Sequence, residues 1–271
     1  RTYCTACLNM RSFAIKIYRT LSGQLGIDPI RFINSIRGLP YFLFDWFAFR
    51  KNYEGRLTLS PFLHDRFLES GNTKSEYFWQ DLLVAQWIFK DKPNKHVDVG
   101  SRLDGLVAHV ASFRHLEVID IRPISKAIPG VTYYQGDLMK EPPLLKNHRE
   151  EGYCDSLSCL HTIEHFGLGR YGDDIDVIGH EKGLKNLASL LKVGGVFYLS
   201  TPIGLERVEF NANRVFDPRT IIDLAKKYKL LLKYLVVIED GKFRSVSIDN
   251  SSLSALAEKK YSLGIFTFKR I

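Results

Sequence analysis

From residue 96 onward, short apolar runs alternate with stretches in which apolar residues recur at helical spacing. The runs at 96–99 and 116–119 are bounded by turn-forming residues, which is typical of buried parallel strands. Further strands are predicted at 131–135, 155–161, 196–201, 230–238 and 261–269, and helices at 179–192 and 218–228. Strands that alternate with helices predict an α/β fold with a doubly wound, mostly parallel sheet. The last two strands, separated by a partly helical connector, predict an antiparallel edge.

Residues from about 8 to 53 show helical periods without strands. One predicted helix ends near Gly23, and a second begins after Asp28, a good N-cap followed by proline at the first helical position. The second helix is expected to end at about Arg37, because glycine and proline at 38–40 interrupt helices. A strong helix at 76–89 then leads into the first strand. We therefore expect a helical N-terminal extension over 1–75 and a main domain over 76–271.

The segment 41–51 is the most aromatic part of the chain. It is too short to span a bilayer, and no apolar run in the sequence reaches the length of a transmembrane helix. We interpret this segment as a helix packed on the main domain, because large aromatic side chains are usually buried. An interfacial membrane anchor or a groove for a partner is the alternative.

The composition indicates which partners and which cellular compartment to expect. The chain has 271 residues, of which 45% are hydrophobic, enough for one large α/β domain with an extension. The formal net charge is +8, but the basic residues are scattered, so we expect a solvated basic surface and no nucleic-acid partner. Cys4 and Cys7 form a C-x-x-C pair without a second pair at zinc spacing, and Cys154 and Cys159 flank a predicted strand. We interpret all four as reduced thiols of a cytosolic protein.

The first strand–helix–strand unit has the features of a nucleotide site. Its first strand ends at Gly100, Asp104 is a candidate N-cap for the helix, and the second strand ends at Asp120. Glycine lets a ligand approach the backbone, the helix N-terminus offers free N–H groups, and a carboxylate can bind both ribose hydroxyls. Arg102 occupies the middle position of the G-x-G-x-x-G fingerprint, which disfavours the pyrophosphate of NAD and favours a nucleoside such as S-adenosyl-L-methionine. A unit that binds no nucleotide is the alternative.

Six short segments in this order resemble the motifs of class I S-adenosyl-L-methionine-dependent methyltransferases. They are 97–100, Asp120, 136–138, 155–161, 161–165 and 191–195. The resemblance covers residues from about 76 to 271 and implies a Rossmann-like sheet of seven strands whose last strand is inserted antiparallel. It implies S-adenosyl-L-methionine as the cofactor, bound by Asp98, Gly100, Ser101, Arg102, Gly105, Asp120, Ile121, Asp137, Leu138 and His161.

Three longer strings resemble one uncharacterised methyltransferase-like family, filed as a domain of unknown function. They lie at 97–105, 165–173 and 207–216. Arg102 departs from the usual superfamily glycine but is typical of this family. Members are often associated with bacterial surface-polysaccharide clusters, and that association implies a sugar or glycan acceptor.

Methyl transfer to a hydroxyl group needs a base for the hydroxyl proton, and histidine is the commonest choice. His161 ends the predicted fourth strand, at the sheet edge where the methyl group is expected, so it is the first candidate. His165 is the second candidate. The alternative is that one or both histidines only fix the following loop by hydrogen bonds. The two lack a clear third ligand, so no metal is expected.

Two polar segments are candidates for binding the acceptor. A loop at 167–173 holds three glycines and is predicted to be a substrate lid, with Arg170 and Asp173 binding hydroxyls or an anion and Tyr171 stacking on a sugar. The alternating segment 207–214 is predicted to overhang the cleft. Its candidate acceptor-binding residues are Glu209, Asn211, Asn213 and Arg214. An ordinary glycine-rich turn and an exposed strand are the respective alternatives.

The predicted function is that of an S-adenosyl-L-methionine-dependent O-methyltransferase (EC 2.1.1.-). Its expected acceptor is a surface polysaccharide, a glycan precursor, a nucleotide sugar or another small molecule. The alternatives are a catalytically inactive module of the same fold in a glycan assembly complex, and an NAD-dependent Rossmann enzyme. The expected location is the cytoplasm, with a peripheral position at the inner membrane face left open. The sequence defines neither the oligomeric state nor the methylated position.

Overall fold

The computed structural model describes residues 26–71, 73–145 and 151–271, together with Tyr18 and Ser22. Apart from those two residues, the helix predicted over 8–23 lies outside the described part, as do Cys4 and Cys7. The chain divides into two compact units, Arg1–Asn72 and Thr73–Ile271, and each is described by itself.

The first unit is built on one long helix, α1 (Pro29–Lys51). Asp28 caps it as predicted, since its Oδ1 accepts hydrogen bonds from the backbone N–H groups of Ile30 and Arg31 at 2.9 and 3.2 Å. The predicted break at 38–40 is wrong, because the helix continues through Gly38 and Pro40. An internal proline removes one helical hydrogen bond but leaves the flanking turns in place.

Gly38 has a packing role in this unit. A Cβ atom at this position would lie 1.8 Å from the backbone oxygen of Leu63, so only glycine fits. Residues 57–66 pack along the side of α1 that carries Gly38. Asp65–Phe67 form a short 3₁₀ turn at the end of this segment. One side of the aromatic segment therefore packs within the first unit, whereas Phe44 and Phe47 are 73% and 63% exposed. The packing of this segment on the main domain stays a prediction. No helix among the described residues is long and apolar enough to cross a membrane.

The second unit is an eight-stranded sheet with helices on both faces, which confirms the predicted fold class. Its strands are β1 (His96–Val99), β2 (Leu116–Asp120), β3 (Val131–Gln135), β4 (Cys154–Leu160), β5 (Leu191–Ile203), β8 (Leu230–Glu239), β9 (Lys242–Val246) and β10 (Ser262–Arg270), with a separate hairpin of β6 (Arg207–Glu209) and β7 (Asn213–Val215). Its helices are α2 (Glu76–Asp91), α3 (Ala108–Ala111), α4 (Gly179–Leu190), α5 (Pro218–Lys227) and α6 (Asn250–Ala257).

The strand order in the sheet is β3-β2-β1-β4-β5-β10-β8-β9. Strands β1 to β5 pair in parallel, while β10 is antiparallel to both β5 and β8, as the resemblance implied. The structure has one strand more than the expected seven, because β9 pairs with β8 and extends the edge of the sheet.

Two apolar clusters cover the two faces of this sheet. One joins Leu184 and Leu187 of α4 to Phe197 of β5, and it continues to α5. The other joins Val84 and Ile88 of α2 to the opposite face of the sheet. Strands buried on both faces have near-continuous apolar sequences, and this explains why the predicted runs correspond closely to the observed strands.

The connection after β1 differs from the prediction. Residues Leu103–Val107 form a π-helical turn that leads into α3, and Asp104 caps neither. The Asp104 carboxylate instead accepts two hydrogen bonds from Arg102, from Nε at 3.0 Å and from a terminal nitrogen at 2.6 Å. The fork of donors on the neighbouring guanidinium competes with the backbone N–H groups for this carboxylate.

Candidate functional site

A cavity of the second unit lies at the carboxyl ends of β1, β2, β3 and β4, where ligands bind in doubly wound folds. Its volume is about 50 Å³. It is lined by Val99, Gly100, Ile119, Asp120, Ile121, Arg122, Gly136, Asp137, Leu138, Met139, His161, Thr162, His165, Phe166, Tyr171 and Asp173. The structure thus brings together nine of the residues proposed from the sequence: Gly100, Asp120, Ile121, Asp137, Leu138, His161, His165, Tyr171 and Asp173.

Gly100 forms the turn between β1 and the cavity. Its φ angle is +70°, and a Cβ atom would lie 2.2 Å from the methyl carbon of Thr162, so both conformation and space require glycine. Asp98 is fully buried under this turn, where it accepts hydrogen bonds from Ser101 and Ser158. Burial raises the pKa of Asp98 to about 7, although these hydrogen bonds lower it. Asp98 and Ser101 therefore shape the loop, and neither lines the cavity.

Two other predicted cofactor residues also lie away from the cavity wall. The Arg102 guanidinium pairs with Asp104 and lies over the Tyr77 ring, 5.4 Å from its centroid. Gly105 is buried against the Asp81 carboxylate, whose pKa burial raises to about 6. Since the Arg102 side chain is about half exposed, the departure from glycine at this position does not fill the cavity.

Asp120 lies at the cavity wall as predicted, but another residue of the chain engages its carboxylate. Arg122 donates from Nε to Oδ1 at 2.9 Å and from a terminal nitrogen to Oδ2 at 2.5 Å. The same guanidinium lies over the Tyr171 ring, 4.9 Å from its centroid. Sequence reasoning missed Arg122, although its position two residues after Asp120 allows this fork-like pairing. Asp120, to which the resemblance assigns ribose binding, is therefore paired with Arg122, and Tyr171 packs on that arginine.

The adenine side of the predicted site is mainly apolar. Ile121, Leu138 and Phe166 line the cavity there, with Asp137 at its edge. Asp137 Oδ1 accepts a hydrogen bond from the backbone N–H of Met139 at 2.8 Å, and this bond fixes the turn after β3. An apolar slot lined also by two hydrogen-bond acceptors, the Asp120 and Asp137 carboxylates, suits a nucleoside, whose ribose hydroxyls and amino group donate.

His161 follows β4 and adopts a positive φ of 52°. Its Nδ1 lies 2.6 Å from Glu164 Oε1, its Nε2 lies 3.1 Å from Glu76 Oε1, and its ring stacks on Tyr77. Burial lowers the pKa of His161, but the two carboxylates outweigh it and raise the pKa to about 9. At neutral pH the ring is therefore an imidazolium with both N–H groups donating to carboxylates. It has no free lone pair with which to accept a proton, so this geometry does not support His161 as the base.

The partners of His161 come from distant parts of the chain. Glu76 begins α2, and it also accepts a hydrogen bond from the Tyr261 hydroxyl at 2.6 Å. Sequence reasoning missed both residues, because neither belongs to a recognisable motif and only the fold brings them to His161. Glu164, whose side chain is fully buried, lies within the segment 161–165 that carried the resemblance.

The ionised His161 contributes to stability, and the sign follows from its raised pKa. The contribution is fully present below about pH 6.5 and is lost as the pH rises toward 9. We expect the free energy of unfolding to fall by roughly 2–4 kcal/mol over this interval in the wild type, and this part of the fall to be missing in His161→Gln. Urea unfolding at a series of pH values measures both curves. Parallel curves for the two proteins would contradict the pairing.

His165 has a different environment from His161. Its Nδ1 lies 2.6 Å from the backbone oxygen of Ala212, and because a carbonyl only accepts, Nδ1 carries the proton. Burial lowers the pKa of His165, so its ring is neutral at pH 7. Its Nε2 therefore holds a lone pair, and Glu164 Oε1 lies 3.9 Å from this nitrogen. Of the two candidate bases, only His165 has a nitrogen able to accept a proton.

The glycine-rich loop closes over this part of the cavity. Asp173 organises it, accepting hydrogen bonds from the backbone N–H groups of Gly167, Gly169 and Tyr171 at 2.8, 3.2 and 3.2 Å. Arg170 donates to the Ala212 carbonyl at 3.0 Å, while the Tyr171 ring lies edge-on to His165. Tyr171 is 38% exposed, so it is the loop residue placed to meet an incoming molecule.

Arg214, which the sequence proposed as an acceptor-binding residue, is only 5% exposed. Its guanidinium donates to the backbone oxygens of Glu164, Phe166 and Val177, and so fixes the loop around His165. Burial also lowers the pKa of Arg214. An arginine with several backbone acceptors in a loop-rich region can replace missing secondary-structure hydrogen bonds.

The remaining hairpin residues lie outside the cavity lining. Glu209 pairs with Arg207 at 2.8 Å, Asn213 donates to a backbone oxygen, and Asn211 occupies the turn with a φ of +63°. The hairpin contributes to the site through its backbone, since the Ala212 carbonyl holds both His165 and Arg170. Among the described residues, no three His, Cys, Asp or Glu side chains are placed to hold a metal ion.

Comparison of the sequence with known families finds one partial match. The profile of a family described as "Caenorhabditis protein of unknown function, DUF268" matches residues 142–262, fewer than half of the chain. Its description gives no function and offers no support for the association with bacterial polysaccharide clusters. No curated protein matches the sequence.

Several solved structures resemble the chain. The [4+2]-cyclase SpnF has a TM-score of 0.52 and 11% identity, with 74% of this chain and 85% of SpnF covered. The N-methyltransferase NodS of Bradyrhizobium japonicum WM9, solved with S-adenosyl-L-homocysteine, has a TM-score of 0.49 and 12% identity over 75% of this chain and 90% of NodS. A 1,6-didemethyltoxoflavin-N1-methyltransferase of Burkholderia thailandensis has a TM-score of 0.49 and 10% identity over 73% and 80%. At such identities a likeness shows the fold alone. The second unit therefore has a Rossmann-like α/β fold, which it shares with SpnF.

Proposed function

We propose that the protein is an S-adenosyl-L-methionine-dependent methyltransferase that methylates a hydroxyl group of a sugar or glycan. The observation that carries this proposal is the cavity at the carboxyl ends of the parallel strands. There the Gly100 turn, the Asp120 and Asp137 carboxylates and the neutral His165 converge. Asp120 would hold the ribose hydroxyls, Asp137 the adenine amino group, and Ile121 and Leu138 the faces of the ring. The cofactor, when bound, supplies a methyl group on a positively charged sulfur.

The residues near His165 suit proton removal from an acceptor hydroxyl. Its Nε2 carries the lone pair, and the Nδ1–H bond to the Ala212 carbonyl holds the ring in one tautomer. Once His165 has taken a proton, the Glu164 carboxylate 3.9 Å away stabilises the imidazolium. His161 orients that carboxylate through its own Nδ1–H bond. In this assignment His165 is the base and His161 a positioning residue.

The acceptor class is supported by the rim of the cavity. Tyr171 presents a partly exposed ring between two guanidinium groups, those of Arg122 and Arg170, at 4.9 and 5.2 Å from its centroid. An aromatic face flanked by fork-shaped donors suits a polyhydroxylated or anionic acceptor. Asn211 and Asn213, on the neighbouring hairpin, add amide groups to this rim region in the proposal.

A second candidate is a module of this fold that does not transfer methyl groups. The observation in its favour is the small cavity, about 50 Å³, with Asp120 already paired to Arg122. A ligand the size of S-adenosyl-L-methionine needs a pocket of roughly 300 Å³ or more. Binding therefore requires Arg122 and Tyr171 to move outward. A module that never opens would bind no cofactor.

Calorimetric titration of the full chain with S-adenosyl-L-homocysteine, and separately with NAD, tests the proposal. We expect one S-adenosyl-L-homocysteine per chain and no binding of NAD, because Arg102 replaces the glycine that a pyrophosphate needs. Absence of S-adenosyl-L-homocysteine binding would contradict the methyltransferase assignment. Binding without transfer of labelled methyl groups to any of a panel of glycans would contradict the acceptor class.

A further inference from the structure

Helix α1 carries a continuous apolar face that the described residues leave exposed. Ile33, Ile36, Leu43, Phe44 and Phe47 follow one another at intervals of three, seven, one and three residues, which places them on one side of the helix. Their exposed fractions lie between 44% and 73%. At 1.5 Å per residue, this face runs for about 20 Å. A contiguous apolar surface of this length is typical of an interaction site.

This face is not the side by which the first unit holds itself together. The opposite side of α1 carries Gly38, Phe42 and Trp46, which line a groove together with Leu57 and Leu63. The backbone of residue 63 approaches Gly38 closely enough to exclude any side chain there. Substitutions on the exposed face therefore leave the lining of this groove unchanged.

The charges around the exposed face have one sign. Arg37 borders it, and Arg50 and Lys51 lie in the last turn of α1. Neither Arg50 nor Lys51 has an acidic partner among the described residues. Asp45, the only acidic residue of the helix, projects from the other side and is neutralised by Arg66 at 2.6 Å. The apolar face is thus flanked by basic groups without competing carboxylates.

We infer that α1 binds the surface of an anionic lipid bilayer, lying in the plane of the headgroups. Apolar and aromatic side chains on one face, with basic residues at its borders, are the pattern of interfacial helices. Phosphates of anionic lipids attract such basic groups, whereas an apolar protein groove offers them no partner. Pro40 also lies on this face and has no N–H group, so the Ile36 carbonyl lacks its helical donor. That carbonyl can be hydrated at the interface but not in the hydrocarbon core.

Flotation of the full chain with vesicles tests this inference. We expect the wild type to float with vesicles that contain phosphatidylserine and to remain at the bottom with phosphatidylcholine alone. Phe44→Ser/Phe47→Ser should abolish flotation. The matched control is Phe210→Ser/Tyr234→Ser, because these aromatic residues of the second unit are equally exposed, at 72% and 71%. The control protein should float like the wild type.

The basic residues provide a second, graded measurement. Each one near an anionic surface contributes about five-fold in partitioning, so Arg50→Gln/Lys51→Gln should lower the partition coefficient about 30-fold. Lys233→Gln/Lys242→Gln, which removes two exposed lysines of the second unit, should change it little. Raised salt should release the wild-type protein.

Three results would overturn the inference. One is the same flotation with both kinds of vesicle. Another is equal loss in the Phe210→Ser/Tyr234→Ser control. The third is absence of flotation together with a dimer that dissociates in Phe44→Ser/Phe47→Ser, which would identify a second copy of the chain as the occupant. Thermal unfolding should be the same for the wild type and the Phe44→Ser/Phe47→Ser variant, since the substituted side chains are exposed. None of these readouts depends on methyltransferase activity.

Discussion

Replacement of His165 by alanine is expected to lower kcat about 100- to 10,000-fold and to leave the affinity for S-adenosyl-L-homocysteine unchanged. The reason is that His165 lines the cavity and keeps a lone pair on Nε2 at neutral pH. The His161 nitrogens both face carboxylates. The measurement is steady-state turnover with an acceptor that the wild type methylates, together with calorimetric titration of the variant.

His161→Gln is the informative comparison for this experiment. A positioning residue should reduce kcat less than the base, because glutamine can still donate a hydrogen bond to Glu164. The pH profile gives a further readout. The pKa of His165 is lowered by burial, so wild-type activity should persist below pH 6.5, where an ordinary histidine base is protonated. Full activity in His165→Ala, or an activity that appears only as the pH rises through 9, would identify His161 as the base instead of His165.

Opposite effects on cofactor affinity are expected from the two partners of the Asp120–Arg122 pair. Asp120→Ala should weaken S-adenosyl-L-homocysteine binding about ten- to a hundred-fold, because the ribose hydroxyls lose a charged acceptor. Arg122→Ala should tighten binding about five-fold, because the ligand no longer competes with a half-exposed guanidinium for the same carboxylate. Calorimetric titration measures both changes.

The chain offers a matched control for this experiment. Arg219 and Asp217 form the same fork two residues apart, with Nε to Oδ1 at 3.0 Å and a terminal nitrogen to Oδ2 at 2.5 Å. This pair lies at the start of α5, away from the cavity lining. Arg219→Ala should therefore leave the affinity unchanged. Weakened binding in Arg122→Ala would show that Arg122 holds the cofactor rather than competing with it.

The fold was largely predictable because the sheet is buried on both faces. Its central strands needed apolar runs, and the boundaries of the fully buried β1 agree with the run at 96–99. The boundaries of β3, a half-buried edge strand, agree with the segment 131–135. The prediction was wrong where tertiary contacts outweighed local preference. Gly38 and Pro40 suggested a break, but the packing of residue 63 against Gly38 supports one continuous α1. Four of the five residues of the short strand β9 are exposed, so no apolar pattern marked it.

The positions of site residues were predictable where a motif fixes the backbone. They were less predictable where side-chain hydrogen bonds join distant parts of the chain. Gly100 and Asp120 follow strand ends, and strand ends meet at one edge of a parallel sheet. The choice between His161 and His165 depended on Glu76 and the Ala212 carbonyl, which lie 85 and 47 residues away in sequence. Arg214 carried the same polar signal as a ligand-binding residue, yet its donors are used by backbone oxygens. Sequence spacing does not encode such pairings.

The position of β10 has a consequence for how the second unit is made. This strand lies between β5 and β8, yet it is the last strand in the sequence. During synthesis, β1 to β5 can pair in turn as they emerge, and β8 can pair with β9. The two partial sheets then carry open edges until residues 262–270 have left the ribosome. Such edges favour pairing between nascent chains and capture by chaperones. The sheet that carries the cavity can therefore be completed only late in folding, when β10 inserts between β5 and β8.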